Sequence, residues 1–261
     1  MQNFLFKYHT INRSGRDFVV GDIHGMFNSL EELLEKVSFD PNIDRVFSVG
    51  DMIDRGNESY RVLEFLNKPW FFSIMGNHES MLLDSRVSEH NLHNWTKYNG
   101  GAWWKELSKE TQDNIHHKIA KLPYLFEIET AIGCIGIAHA DLPSDRNWVD
   151  IIKTISTDHE LKQYVLWSRL RHKKMKVSNT TNPIDGIQLV VMGHTPHKAP
   201  LHMENIFYID TGATYTDNKN LSTLTLLQIH PELEVHQLST FEKLTSKTAK
   251  DSGLNKMRNL T

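Results

Sequence analysis

The chain has 261 residues, a formal net charge of −3, 39% hydrophobic residues and a single cysteine. A chain of this length buries about three quarters of its unfolded surface, so its core needs no covalent staple. The lone Cys134 excludes a disulfide framework within the chain and points to a reducing, cytoplasmic setting. Charge this slight and interspersed gives no footprint for nucleic acid or for a membrane surface. No window approaches the roughly 18 consecutive apolar residues of a spanning helix, and Met1 to Tyr8 lacks the apolar run of a signal peptide.

In chain order, Asp17 to Val20 is short and β-prone, and it runs directly into Gly21-Asp22-Ile23-His24-Gly25. The flanking glycines permit a tight turn, on which a carboxylate and an imidazole can converge on one cation. Ser29 to Val37 then carries Leu30, Leu33, Leu34 and Val37 at helical spacing. Arg45 to Val49 repeats the strand signal and delivers Gly50-Asp51-Met52-Ile53-Asp54-Arg55-Gly56, followed by the stripe Val62, Leu63 and Leu66 within Tyr60 to Asn67. A carboxylate at Asp51 can bridge two cations about 3.5 to 4 Å apart. Phe71 to Met75 supplies a third strand and ends in Gly76-Asn77-His78-Glu79, where Asn77 offers a neutral amide oxygen. This alternation predicts a mostly parallel sheet with its loops gathered at the carboxyl edge, where open α/β sheets place ligands.

From about His90 to Leu122 the pattern is helical, with Trp95, Trp103 and Trp104 around an Asn99-Gly100-Gly101 turn. We read these aromatics as packing in a cap-like insertion, with shaping of the substrate entrance as the second reading. Ile132 to Ala138, Ile187 to Met192, Ile206 to Ile209 and Leu224 to Ile229 read as strands with few long helices between them, which predicts a second sheet packed on the first. Two of them end in a histidine, His139 and His194. A strand-end His standing alone is more often structural, but beside the three upstream motifs these two read as ligands. The remaining histidines lack such a setting and read as structural. Residues 242–261 are polar and are expected to form a mobile tail.

The order Gly-Asp-x-His-Gly, Gly-Asp-x-x-Asp-Arg-Gly, Gly-Asn-His-Glu, His, Gly-His-Thr resembles the metallophosphoesterase superfamily, and within it the phosphoprotein phosphatase family. The segment from Val191 to Gln228, with Gly193-His194-Thr195-Pro196 and Tyr208-Ile209-Asp210-Thr211-Gly212-Ala213, is most similar to the bacterial and bacteriophage lambda-type serine/threonine protein phosphatases. The resemblance implies an α/β fold (α+β in some schemes) of two packed β-sheets flanked by helices, with a dinuclear metal site on strand-end loops. It implies one catalytic domain over residues 1–241, with the helical insertion at about 90–122.

The same resemblance assigns Asp22, His24 and Asp51 to one metal, and Asp51, Asn77, His139 and His194 to the other. Mn²⁺ is the expected ion, and a mixed oxygen and nitrogen ligand set also accepts Fe or Zn. It implies hydrolysis of phosphoserine and phosphothreonine in proteins, with phosphotyrosine a further candidate, by in-line attack of a metal-bridging hydroxide. His78 stands at the position of the proton donor to the leaving oxygen and Asp54 at that of its orienting partner. Arg55, and Arg169 in Leu166-Trp167-Ser168-Arg169, stand at the phosphate-binding positions. There is one departure: Met75 occupies the place where many protein phosphatases carry arginine. Symmetrical dinucleoside tetraphosphate hydrolases also lack that arginine, so hydrolysis of dinucleoside polyphosphates is the second reading. Asp54, Arg55 and Glu79 favour the first. A catalytically silent metal-binding regulator is the third reading, opposed by the presence of all six ligands and His78.

Overall fold

The computed structural model describes residues 4–241, so the polar segment 242–261 lies outside the described residues. In chain order the strands are β1 (Phe6–His9), β2 (Asp17–Val20), β3 (Arg45–Ser48), β4 (Phe71–Ser73), β5 (Leu125–Thr130), β6 (Gly133–Ile137), β7 (Leu189–Met192), β8 (Leu201–Met203), β9 (Ile206–Tyr208), β10 (Thr223–His230) and β11 (Glu234–Ser239). The helices are α1 (Phe27–Lys36), α2 (Val62–Leu66), α3 (Asn77–Asp84), α4 (Glu89–Tyr98), α5 (Lys109–Ile119), α6 (Trp148–Thr154), α7 (His159–Trp167) and α8 (Leu170–Ser178). None is long and apolar enough to cross a membrane.

The expected second sheet is present. One sheet has five strands in the order β11-β10-β2-β3-β4, and the other has six in the order β1-β5-β6-β7-β9-β8. Strands β2, β3 and β4 run parallel, as do β6, β7 and β9, while β10, β11, β5 and β8 bring in antiparallel pairs. Side chains alternate across a strand, so each central strand feeds two different cores. On β2, Val19 packs between the sheets, while Phe18 and Val20 face the layer of α1, α2, α4 and α5. On β7, Leu189 and Val191 join the same inter-sheet core, while Val190 and Met192 face α6, α7 and α8. The result is a helix-sheet-sheet-helix sandwich in which the central strands are buried on both faces, which is why they read as continuous apolar runs.

The expected helix at Ser29 to Val37 is α1, and Tyr60 to Asn67 contains a 3₁₀ turn and α2. The expected scarcity of long helices in the second half holds, although three short ones, α6, α7 and α8, lie between β6 and β7. Their buried faces are thin, only Trp148 and Ile151 on α6 and only Arg171 and Met175 on α8, so the helical stripe is faint. What positions the site is the parallel pairing. It brings the carboxyl ends of β2, β3, β4, β6, β7 and β9 to one rim, at Gly21, Gly50, Gly76, His139, His194 and Asp210.

Candidate metal and phosphate site

The rim loops are conformationally demanding. Of the eight non-glycine residues with positive φ among the described residues, five are His24, Asp51, Asp54, Arg55 and His194. Left-handed backbone is strained for residues with a Cβ and persists only where surrounding bonds enforce it. Glu79 supplies several of those bonds: its buried carboxylate accepts from the backbone N–H groups of Asp51 and Met52, both at 2.8 Å, and of Gly76 at 2.9 Å. It thereby ties the loop after β3 to the start of α3. Gly193 lets the last loop close in, since a Cβ there would lie 2.1 Å from Asp22 Oδ1.

At one end of the site, Asp51, His139 and His194 converge, their candidate ligand atoms within 4.8 Å of one another and all three buried. His139 Nδ1 faces the Val49 carbonyl at 2.8 Å, which sets the tautomer and leaves Nε2 as the inward atom, 3.4 Å from Asp51 Oδ1. His139 Nε2 and His194 Nδ1 both point at Asn77 Oδ1, at 2.9 and 2.8 Å. The other end groups His24, Asp51 and His78 in the same way. His24 Nδ1 faces the Ile53 carbonyl at 2.8 Å, again turning Nε2 inward. Asp22, expected with His24 and Asp51, is buried beside them, with both carboxylate oxygens taken by the His194 backbone N–H at 3.1 and 3.0 Å.

A dyad adjoins this cluster. His78 Nδ1 lies 2.7 Å from Asp54 Oδ2, and both residues are buried. The same Asp54 oxygen accepts the indole N–H of Trp95 at 2.6 Å, and Asp54 Oδ1 accepts that of Trp103 at 2.7 Å. Packing was the sequence reading for these tryptophans, but two of the three also hold a carboxylate of the site. The Asn99-Gly100-Gly101 turn makes this possible, because Gly100 at φ 87° brings the insertion against Arg55, whose backbone N–H donates to the Gly100 carbonyl at 3.3 Å. Arg55 and Arg169 are exposed on the rim. The Arg55 fork reaches His24 Nε2 at 2.8 Å and His78 Nε2 at 3.0 Å, and Arg169 Nε reaches His194 Nε2 at 3.1 Å.

The electrostatics of the ensemble call for positive charge. Burial, with Asp210 and Asp51 as like-charged neighbours, pushes the Asp22 carboxyl well above its usual range. Burial likewise raises Asp210 to about 6, with Asp51 contributing. Asp210 was not singled out from the sequence, although it follows β9 just as the other site residues follow their strands. Burial opposes ionisation of Asp51, yet His139, His78 and His24 together hold its carboxyl well below the ordinary value. Burial and His78 keep His24 neutral, and burial and His139 lower His194 to about 3. His24 and His194 are thus neutral and Asp51 ionised, the states in which these groups bind metal, whereas against its burial Asp51 and Asp22 raise His139 to about 9, so that a metal bound there displaces a ring proton. Two acceptors, Asn77 Oδ1 and Asp51 Oδ1, converge on His139 Nε2, a position filled here by a ring proton and one that a cation bound to the neutral imidazole would fill instead. The mixed N/O donor set therefore fits a divalent metal site.

The comparisons agree with that chemistry. The family model for the calcineurin-like phosphoesterase matches residues 18–221. The chain is 35% identical over 219 residues to serine/threonine-protein phosphatase 2 of Salmonella typhimurium strain LT2, covering 82% of this chain and 96% of the relative. It is 29% identical over 226 residues to the asymmetrical bis(5'-nucleosyl)-tetraphosphatase PrpE of Oceanobacillus iheyensis, covering 76% of this chain and 84% of that one. A solved structure described as a candidate diadenosine tetraphosphatase shares the fold, with a TM-score of 0.63 and 20% identity over 90% of this chain and 98% of the other. The matched family model spans most of the chain and every rim loop of the site, and the chain belongs to the calcineurin-like phosphoesterase family.

Proposed function

We propose that the chain is a metal-dependent phosphatase that hydrolyses phosphoserine and phosphothreonine monoesters in proteins, working as one catalytic domain over residues 1–241. Asp22, His24 and Asp51 would hold one divalent ion, and Asp51, Asn77, His139 and His194 the other, with Mn²⁺ the ion best suited to test. Bound there, such ions supply Lewis-acid polarisation of phosphoryl oxygens and acidify water. Arg55 and Arg169 grip the phosphate through their planar forks. As the bond between phosphorus and the seryl oxygen breaks, water adds to phosphorus, and His78 gives its Nε2 proton to the departing oxygen. Asp54 accepts the His78 Nδ1–H and so favours the doubly protonated ring that has an Nε2 proton to give, the added water's proton restoring it afterwards, and Trp95 and Trp103 keep Asp54 in place.

The observation that carries this reading is the buried Asp54–His78 pair at 2.7 Å. An alkoxide is a poor leaving group and gains most from a built-in acid, typically about 10²- to 10⁴-fold. A nucleoside diphosphate leaves far more readily and needs little protonation. Identity and coverage favour the same side, being higher for the relative named as a protein phosphatase than for the one named as a tetraphosphatase. The test compares Mn²⁺-loaded protein on a phosphoserine peptide and on diadenosine tetraphosphate. We expect kcat/KM to favour the peptide; preference for the dinucleotide by orders of magnitude would overturn the reading.

A further inference from the structure

The chain is slightly acidic overall, yet from Leu161 to Ile184 it contains no Asp or Glu while carrying Lys162, Arg169, Arg171, Lys173, Lys174 and Lys176. Most of these cations lie on or beside α8. Its buried face consists of Arg171 and Met175. Arg171 is neutralised in place, with Nε 3.0 Å from Asp141 Oδ1 and further bonds to the Leu142 and Asn182 carbonyls. Lys173, Lys174 and Lys176 are exposed, and none of them forms an ion pair with a carboxylate among the described residues. Folding has placed one cation of this segment against an internal acid and left three facing outward.

Their position gives that charge a use. Arg169 caps the start of α8 and touches His194 with its side chain, and its carbonyl accepts from the Lys173 backbone N–H at 2.9 Å. Arg169, Lys173 and Lys176 therefore stand at i, i+4 and i+7, a single stripe that starts at the metal centre and runs outward for about 10 Å at 1.5 Å per residue. Lys174 lies on the flank, lining a cleft of about 140 Å³ with Ser144, Thr180 and Thr181. Those hydroxyls suit a carboxylate. Trp167 and Leu170, 42% and 46% exposed, border the same face and offer an apolar floor to a peptide chain.

We infer that α8 is a recognition ridge for acidic residues flanking the phosphorylated side chain, so that the preferred substrates are acidic phosphopeptide segments. This inference rests on the phosphoprotein reading of the site. With the phosphate held at Arg169, an extended peptide advancing about 3.3 Å per residue brings its side chains past Lys173 and Lys176 at about two to four positions from the phosphoserine. Long-range attraction by three unpaired lysines also speeds encounter with an acidic segment, an effect that salt suppresses.

The experiment measures kcat/KM for matched phosphoserine peptides bearing Glu, Ala or Lys at those flanking positions, with p-nitrophenyl phosphate alongside, at low and high salt. The expected order is Glu over Ala over Lys, with about tenfold between Glu and Ala at low salt, a gap that narrows as salt rises. The combined variant Lys173→Glu, Lys174→Glu, Lys176→Glu should reverse the order while turning over p-nitrophenyl phosphate as before, which also shows that it is folded. Equal turnover of the three peptides, or an unchanged order in the variant, overturns the inference alone. Turnover of p-nitrophenyl phosphate with none of any peptide overturns the phosphoprotein reading and this inference with it.

Discussion

Trp95 and His78 share a single oxygen: the indole N–H of Trp95 lies 2.6 Å, and His78 Nδ1 lies 2.7 Å, from Asp54 Oδ2. With Trp103 on the other oxygen, the Asp54 carboxylate is fixed in plane and shielded from water, and the imidazole inherits its orientation. Replacing an indole by a phenyl ring removes the N–H donor while keeping an aromatic ring in place. Trp103→Phe should therefore lower kcat on a phosphoserine peptide about tenfold, with KM little changed, in keeping with the ~1.5 to 3 kcal/mol of a hydrogen bond to a charged group. Activated aryl phosphates should lose less. Uniform slowing of both substrates would mean that Trp103 acts on packing only.

Glu79 anchors the strained loop after β3 rather than the substrate. Glu79→Ala strips the partner from three buried N–H groups, each left unsatisfied, so we expect at least about 3 kcal/mol of destabilisation in urea melts. Loss of metal-dependent activity should follow, because Asp51 is one of the residues whose N–H is released. A variant as stable as the parent would show that other contacts enforce the left-handed backbone at Asp51.

Metal removal should be visible without any substrate. A ligand present at 100 times its dissociation constant stabilises by about 2.7 kcal/mol. For a chain of this size that corresponds to a Tm shift of about 5 to 10 °C between Mn²⁺-loaded and chelated protein. Asp51→Asn, which weakens the carboxylate common to both clusters, should abolish most of the shift; calorimetry that finds it undiminished would place the ions elsewhere.

The acid limb of stability has a source far from the site. His9 sits among Phe47, Phe72 and Phe126, with ring centroids 4.9, 4.9 and 5.0 Å away, and its Nε2 is buried without a hydrogen-bond partner. Burial, then Arg45 and Lys7, lowers it to about 4 from the 6.5 of the unfolded chain. Between those values the unfolded state binds more protons, so stability is complete above pH 6.5 and declines as pH falls toward 4. After allowance for partial exposure the loss should be about 1 to 2 kcal/mol. His9→Phe should flatten that limb in urea melts from pH 7 to pH 4; an unchanged slope would assign it to other groups.

The residues that announce themselves in the sequence are those whose spacing is set by one strand end and its turn, such as Asp22 with His24, or Asp51 with Asp54 and Arg55. Glycines and a neighbouring apolar run mark them. Trp95 and Trp103 could not be paired with Asp54 from the sequence, because that contact spans 41 and 49 residues and depends on the left-handed turn at Gly100. Asp210 does end a recognisable strand, but a lone Asp after an apolar run is common. β5 shows Phe126 and Ile128 inward, alternating with Glu127 and Glu129, a period-two signal that is short and adjoins the helical stretch before it. Met75, the departure from the arginine of many protein phosphatases, is buried in the helix-facing core with Trp95 and Trp104, so its side chain serves packing.

In the proposed reaction His78, held by Asp54, protonates the leaving oxygen. This step is tested most directly by the dependence of kcat/KM on leaving-group basicity for His78→Asn beside the unaltered protein, across aryl and alkyl phosphates. Activated aryl esters should lose little and alkyl esters about 10²-fold or more, so that the slope steepens in the variant. Parallel lines, with every ester slowed by the same factor, would contradict that step.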